Sequence, residues 1–291
     1  MIGILTNTQH ALVSKVHGEL MKRDIPASFI DAEDVTMSFR GGKRAVPNLE
    51  TVSVVWLDRV VEKGNYLHTQ LRILRLLELQ GFRFFNKPGP YEMAYDKAAT
   101  TTMLVSAGLP VVDTLITPDL EAAVSFLKEH AVCISKPPLG FLGHGSRVLL
   151  ASDLDASTRH FRSVLNEEGG LYIQRYIVPE SDYRDLKLYM VGDKVADACF
   201  WLPTTGEKLW IGDHTDKAEA VAAPETCAAM GREAMRISGL DFAGVDFLYD
   251  AKHGWFISEI NPEVEASFPS TVAAVTDALA KQLHDGLGAR P

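Results

Sequence analysis

Cysteine is scarce: only Cys133, Cys199 and Cys227, far apart and with no Cys-x-x-Cys or Cys/His cluster. That spacing argues against a structural zinc site. An odd count also fits poorly with a secreted disulfide framework, so the three read as small buried hydrophobes. Positive charge is not in excess either: 29 Lys and Arg against 38 Asp and Glu give a formal charge of −9. No electrostatic footprint for nucleic acid is expected, although a local basic pocket can sit inside an acidic protein. No apolar run approaches the ~18 residues of a membrane span. The start, Met1-Ile2-Gly3-Ile4-Leu5-Thr6, lacks the basic n-region of a signal peptide and reads as a buried first strand. Missing too are Gly-x-Ser-x-Gly, His-Glu-x-x-His and EF-hand signatures, internal repeats and low-complexity tracts. The expectation is a cytosolic (cytoplasmic) globular protein with no nucleic-acid or membrane partner.

At ~150 residues per domain, 291 residues predict about two domains or one large α/β unit with subdomains. The first ninety alternate strand and helix. Ile2 to Thr6, Ala27 to Ile30, Val52 to Leu57 and Phe82 to Phe85 read as strands, with helical periodicity at Val13 to Met21 and Leu67 to Leu79. The pattern predicts a parallel sheet with helices on its faces. Asn86-Lys87-Pro88-Gly89-Pro90 is turn-rich and marks a first break. Beyond it come helices at Asp96 to Ala107 and Leu120 to His130, and extended segments at Val111 to Ile116 and Ala131 to Ser135. A second break falls near Gly169-Gly170, followed by strands Leu171 to Ile177, Leu186 to Val191 and Val195 to Leu202, with a turn at Gly192-Asp193. The division is therefore 1–90, 91–170 and 171–291.

The sharpest constellation is near the C-terminus: Gly244-Val245-Asp246-Phe247, a loop, then Ser258-Glu259-Ile260-Asn261-Pro262. Residues two apart on a strand share a face, so Glu259 and Asn261 point the same way. If Asp250 pairs with Trp255 across a loop of Ala251 to Gly254, Asp246 lies directly opposite Glu259. Val245, Phe247 and Tyr249 then share the oily face with Ile260 and Phe256. Two carboxylates side by side repel unless a cation shares them, and hard oxygen ligands suit Mg²⁺ or Mn²⁺.

A second motif is the glycine loop after Lys136, containing Gly140, Gly143 and Gly145. Glycine backbone lets N–H groups approach a polyphosphate. The loop lacks the P-loop order Gly-x-x-x-x-Gly-Lys-Ser/Thr, and it does not join a first strand to a helix as the dinucleotide fingerprint does.

Taken in order, these motifs resemble the ATP-grasp superfamily, and within it the RimK-like and glutathione-synthetase-like carboxylate–amine ligases. Asp96-Lys97 with Gly108-Leu109-Pro110, Ile134-Ser135-Lys136-Pro137 with the glycine loop, and Gln174-Arg175-Tyr176-Ile177 each match a segment of that family. So do Asp185-Leu186-Lys187 and the acid hairpin. The resemblance implies an α/β ATP-grasp fold: an N-terminal parallel-sheet domain and two α+β subdomains clasping ATP. It implies nucleotide contacts from Lys97, Lys136, Gly140, Gly143, Gly145, Asp185 and the 174–177 hinge, whose backbone would bind adenine. Asp246, Glu259 and Asn261 would hold two Mg²⁺ (or Mn²⁺), and Lys136, Lys187 and Glu259 would be catalytic. The partners implied are ATP, a carboxylic acid and an amine such as glutamate. Homo-oligomers are common in such families, and nothing in the sequence decides that point.

Departures narrow the resemblance. Arg175 stands where the family has an acid, and Lys187 where it has Arg, which keeps charge but loses a bidentate fork. The Arg-x-Asn element is not recognisable in Lys208 to His214, and Pro262-Glu263-Val264-Glu265 lacks the usual Pro-Gly step. Two other functions are open: a small-molecule kinase of inositol-phosphate-kinase type, for which the basic candidates Arg147, Lys187, Lys208 and Lys217 are scattered, and a non-catalytic nucleotide-binding module. His144, His214, Trp201 and Trp210 carry no assignment beyond packing or exposure.

Overall fold

The computed structural model describes residues 1–40, 43–60, 67–138, 145–178, 185–202, 217–264 and 268–287. Four short strands, β1 (Ile2–Leu5), β2 (Ala27–Ile30), β5 (Val54–Leu57) and β6 (Arg83–Phe85), form a parallel sheet in the order β2-β1-β5-β6. β1 and β5 are buried along their whole length because both faces are covered, which is why they read as unbroken apolar runs. On one face Ile2, Ile4, Val54 and Trp56 meet Leu12, Val13 and Val16 of helix α1 (Ala11–Lys22). On the other, Leu5, Val55 and Leu57 meet Leu71, Leu74 and Leu77 of α2 (Leu67–Leu79). A small hairpin, β3 (Ser38–Arg40) with β4 (Lys43–Ala45), was not legible in the sequence.

The turn expected at 86–90 is a helix start. α3 (Pro88–Tyr95) begins at Pro88, whose missing N–H costs nothing in a first turn. The break is a seam instead. Asn86 is fully buried, donates from Nδ2 to Phe242 O at 2.7 Å, and accepts from Asp241 N and Phe242 N at 2.8 and 2.9 Å. Its amide thus stitches the end of the first sheet to the last one.

The middle sheet is antiparallel, in the order β7-β10-β8-β9, from β7 (Thr114–Thr117), β8 (Val132–Lys136), β9 (Arg147–Leu150) and β10 (Leu171–Arg175). α5 (Leu120–His130) and α6 (Leu154–Glu168) cover it through Ala123, Leu127 and Phe161. The boundary expected at 170/171 therefore cuts a sheet, because β10 is its second strand, paired with β7 and β8.

The last sheet, β13-β12-β11-β14-β15, is also antiparallel. It comprises β11 (Asp185–Val191), β12 (Lys194–Leu202), β13 (Lys217–Ala220), β14 (Phe242–Asp250) and β15 (Gly254–Asn261). α7 (Glu225–Ser238) and Leu104 of α4 (Lys97–Ser106) pack on its oily face against Leu186, Val245, Phe247 and Ile260. The final helix, α8 (Pro269–Leu287), returns to the first domain: Val272, Val275 and Leu279 join the Ile2/Trp56 cluster. Sequence order and spatial domain therefore differ at both ends of the 91–291 stretch. No helix among the described residues is long and apolar enough to cross a membrane.

Asp241, beside the Asn86 seam, has a buried Oδ2 with no hydrogen-bond partner among the described residues. Burial pushes its carboxyl up to about 6, with Lys87 opposing. In the unfolded chain it ionises near the ordinary 3.8, so the native state binds more protons between these values. Stability is lost as pH rises through that window and stays lost above it, by at most about 3 kcal/mol. Asp241→Asn is expected to raise the thermal midpoint at pH 7.5 by several degrees more than at pH 4, measured by circular dichroism. An equal effect at both pH values overturns the account.

Candidate active site

The acid hairpin is built by β14 and β15. Asp246 pairs with Glu259, Val245 with Ile260 and Gly244 with Asn261. The sequence reading reached the right partner for Asp246 through a register that is off by one at the tip. Asp250 pairs with Gly254 and Tyr249 with Trp255, not Asp250 with Trp255. A bulge between Asp246 and Phe247 absorbs Ser258 and restores the expected pairing. The bulge also moves Phe256 off the oily face, which takes Ile257 and Trp255 in its place. Glu259 and Asn261 do share a face with Asp246, to whose Oδ2 the Asn261 amide donates.

A third strand completes the row. Lys187 on β11 is the direct partner of Asp246, so Lys187, Asp246 and Glu259 lie side by side across three strands. The Lys187 ammonium is 3.1 Å from Asp246 Oδ1. Two more lysines arrive from outside this sheet. Lys97 opens α4, whose first N–H groups at Ala98 and Ala99 are capped by Asp96, and its ammonium stands 3.4 Å from Glu259 Oε1. Lys136 ends β8, and its ammonium donates to Ser258 Oγ, the bulged residue, at 3.4 Å. Three lysines thus face two carboxylates.

These charges are uneven in strength. Burial pushes the Glu259 carboxyl up, but Lys97, Lys136 and Lys187 outweigh it and hold it below the usual range. Asp246 is raised, because burial there exceeds the pull of Lys187. Burial also lowers Lys136, with Lys97 adding to the effect, and Asp246 keeps Lys187 above its ordinary value despite burial. The row is a set of opposed charges in which Lys97 and Lys187 pair with Glu259 and Asp246.

The glycine loop is represented at its end. Gly145 has φ +76°, and a Cβ there would meet Pro137 Cγ at 2.8 Å, so only glycine fits. Gly140, Gly143 and His144 lie outside the described residues, as do Lys208, Trp210 and His214. In the 174–177 hinge, the Arg175 and Tyr176 amides donate to Asp113 O and Val132 O. Both amides are therefore engaged within the middle sheet and its flanks. Gln174 is buried and its Nε2 donates to Thr114 Oγ1 and Tyr172 OH.

Arg175 acts through its side chain. It reaches Asp113 Oδ2 at 3.1 Å and Asp250 Oδ2 at 2.8 Å, and lies over the Phe256 ring. The middle sheet is thereby pinned to the tip of the acid hairpin, and the Asp250 carboxyl is held well below its ordinary value by Arg175. Asp185 is the first residue of β11, two before Lys187, and contributes to the field at Lys136. Sequence reasoning missed Ser258, since a bulge leaves no composition signal. It also missed the polar residues just beyond β1 and β5, which the strand ends of a parallel sheet could have flagged.

A family model for the RimK-like ATP-grasp domain matches residues 94–283, well over half of the chain. A tetrahydromethanopterin:alpha-L-glutamate ligase of Methanosarcina acetivorans is 26% identical over 247 residues, covering 80% of this chain and 74% of that protein. A probable alpha-L-glutamate ligase of Pasteurella multocida is 25% identical over 230 residues, covering 78% and 72%. Among solved structures, D-cycloserine synthetase DcsG superposes with a TM-score of 0.77 at 18% identity, over 97% of this chain and 99% of that one, a likeness of fold.

Proposed function

The chain belongs to the RimK-like ATP-grasp family, and from that premise we propose that it is an ATP-dependent carboxylate–amine ligase joining an amino acid such as glutamate to a small-molecule or peptide partner through an acyl phosphate. The observation that carries the reading is the row Lys187–Asp246–Glu259 with Lys97 and Lys136 closing over it. Relatives named as ligases share most of the chain's length. Of the basic residues that a kinase for a polyphosphorylated substrate would need, Lys187 is engaged by Asp246 and Arg147 is exposed on β9.

The donor set fits divalent cations. Asp246 and Glu259 present hard oxygens from paired positions, and Asn261 supplies a third once its amide turns its oxygen inward, a rotation that leaves its shape unchanged. Asp246, Glu259 and Asn261 would hold two Mg²⁺ (or Mn²⁺). When bound, such ions neutralise charge on the polyphosphate and the transferring phosphoryl group.

The chain's own residues then have defined tasks. Lys97 and Lys136 stand beside Glu259 and exchange it for phosphate oxygens when ATP arrives. The substrate carboxylate oxygen attacks the γ-phosphorus, the bond to the β–γ bridging oxygen breaks, and ADP leaves. The amine nitrogen then attacks the acyl carbon, loses a proton and expels phosphate. For the first step the protein supplies positioning and electrostatics. Lys187 offsets part of the burial that raises the Asp246 carboxyl, and the Gly140–Gly145 loop would exclude the water that otherwise hydrolyses the intermediate.

The test is ADP release from Mg²⁺-ATP with pooled carboxylic acids and hydroxylamine, which intercepts acyl phosphates. Hydroxamate formation from one acid is the expected result. ADP with a stable phosphorylated hydroxyl compound and no hydroxamate moves the protein to the kinase class.

A further inference from the structure

The middle sheet is joined to the last sheet at one corner. On the way in, the chain runs along β15, where Val111 bridges Ile257 and Ile257 N donates to Pro110 O at 2.9 Å, and then enters β7 at Thr114. On the way out it ends β10 at Arg175, and the next described strand, β11, belongs to the last sheet. The two crossings are tied to each other, because Arg175 N donates to Asp113 O at 2.9 Å. Crossings paired at one corner form a hinge, about which the sheet carrying Lys136 is able to turn relative to the sheet carrying Asp246 and Glu259.

The Arg175 side chain is built into that corner. Nε donates to Asp113 Oδ2 at 3.1 Å on the incoming crossing, and Nη1 donates to Asp250 Oδ2 at 2.8 Å at the end of β14. The guanidinium also lies over the Phe256 ring, 5.8 Å from its centroid. The Arg175 side chain is 20% exposed and that of Asp250 14%, so the pair is shielded from much of the water and salt that make surface pairs weak. Asp250 is fixed by its own turn: Oδ1 accepts from Lys252 N and His253 N at 3.0 and 3.2 Å, and His253 Nδ1 stands 2.9 Å away. Its second oxygen is thus held ready for Arg175, and a planar guanidinium loses little freedom in meeting it.

An acid at position 175, which the resemblance leads one to expect, would set three carboxylates together at this corner and repel. The clasp therefore belongs to this chain's own sequence. A second support runs along α4: Thr101 Oγ1 and Tyr172 OH are 2.7 Å apart, and Lys97 N donates to Pro138 O at 3.1 Å. α4 also packs on the last sheet through Leu104. These contacts do not involve Arg175, so losing the clasp is expected to loosen the cleft without unfolding the protein.

We propose that Arg175 is a positioning residue for phosphoryl transfer: by clasping Asp250 it holds the middle sheet over the last one before ATP binds, which keeps Lys136 against Ser258 and Glu259. It acts through the width of the cleft and touches no reacting atom. A ligand that needs the closed arrangement binds with its intrinsic dissociation constant divided by the closed fraction. Loss of the clasp therefore weakens ATP binding, while the complex that does form reacts much as before. The proposal rests on the ligase reading for its kinetic arm alone.

The test is a double-mutant cycle on Arg175→Gln and Asp250→Asn. Asparagine keeps an oxygen for the turn at Lys252 and His253 and offers Arg175 an NH₂ that cannot accept, so it breaks the clasp alone. ADP formation against Mg²⁺-ATP concentration gives KM and kcat. Each single variant is expected to raise the ATP KM about tenfold, with a much smaller change in kcat, and the double variant to be no worse than either single. Cleft width is read without ATP by pulsed electron resonance between spin labels at Ser125→Cys on α5 and Ala229→Cys on α7, both exposed, the natural cysteines being buried. A longer-distance population should appear in both clasp variants. Additive effects on KM, or an effect of Arg175→Gln with Asp250→Asn silent, would mean that Arg175 meets the nucleotide directly and overturn the proposal. Distances unchanged from those without the clasp substitutions overturn it as well. Wild-type protein that forms neither ADP nor hydroxamate overturns instead the ligase reading, and the distances still decide the clasp.

Discussion

Glu259→Gln is expected to lower ADP formation on the order of a thousandfold while leaving the fold intact. Glu259 is where the counter-charges converge: Lys97 is 3.4 Å away, and Lys136 and Lys187 also act on it. It is also the member of the carboxylate pair held most firmly ionised, since burial raises Asp246 but the lysines overcome burial at Glu259. Glutamine keeps the shape and one acceptor oxygen but removes the charge that a divalent cation needs. Asp246 alone is already committed to Lys187 at 3.1 Å and cannot replace it. The measurement is ATP turnover at saturating Mg²⁺, with far-UV circular dichroism as the control for folding. A folded variant that turns ATP over at the wild-type rate refutes the placement of Glu259 at the reacting phosphate.

The residues of this row were legible because strand periodicity is a rigid rule. Glu259 and Asn261 had to share a face, and an apolar alternation at Val245 and Phe247 had to send Asp246 the other way. What could not be read was the irregularity between them. The tip pairing differs by one residue from the expected one, and the Ser258 bulge cancels the difference, so two unread features gave a correct neighbour for Asp246 and a wrong side for Phe256. The bulge has a use that composition cannot announce: it delivers a hydroxyl to Lys136.

Long-range returns were hidden for a different reason. α8 carries the apolar spacing of any amphipathic helix, and nothing local says that Val272 and Leu279 bury against Ile4 and Trp56. Pro88 and Pro90 look like loop punctuation, yet proline fits a helix start as well as a turn, and only the buried Asn86 hydrogen bonds reveal a seam. In the hinge the Gln174 side-chain amide donates to Thr114 and Tyr172. The hinge side chain that spans the cleft is Arg175, at the position where the family carries the opposite charge.

Lys136→Met is expected to separate stability from function. Methionine matches the lysine stem as far as Cε, with a thioether in place of the δ-methylene, so the substitution chiefly removes the ammonium. In the folded protein that ammonium is disfavoured by burial and by the neighbouring Lys97, so its pKa is lowered and the charge costs stability at every pH below the unfolded value near 10.5. Among the described residues its side-chain hydrogen bond is to Ser258 at 3.4 Å, which is long and returns little. Glu259 retains Lys97 and Lys187 when Lys136 is gone. The thermal midpoint should therefore rise rather than fall. ADP formation should fall by about two to three orders of magnitude, because the charge that is unwelcome in the resting protein is the one the transferring phosphoryl group requires. Arginine at the same position should recover part of the rate and none of the stability. A variant that is both less stable and fully active would mean that Lys136 serves the fold and that the phosphate is held elsewhere.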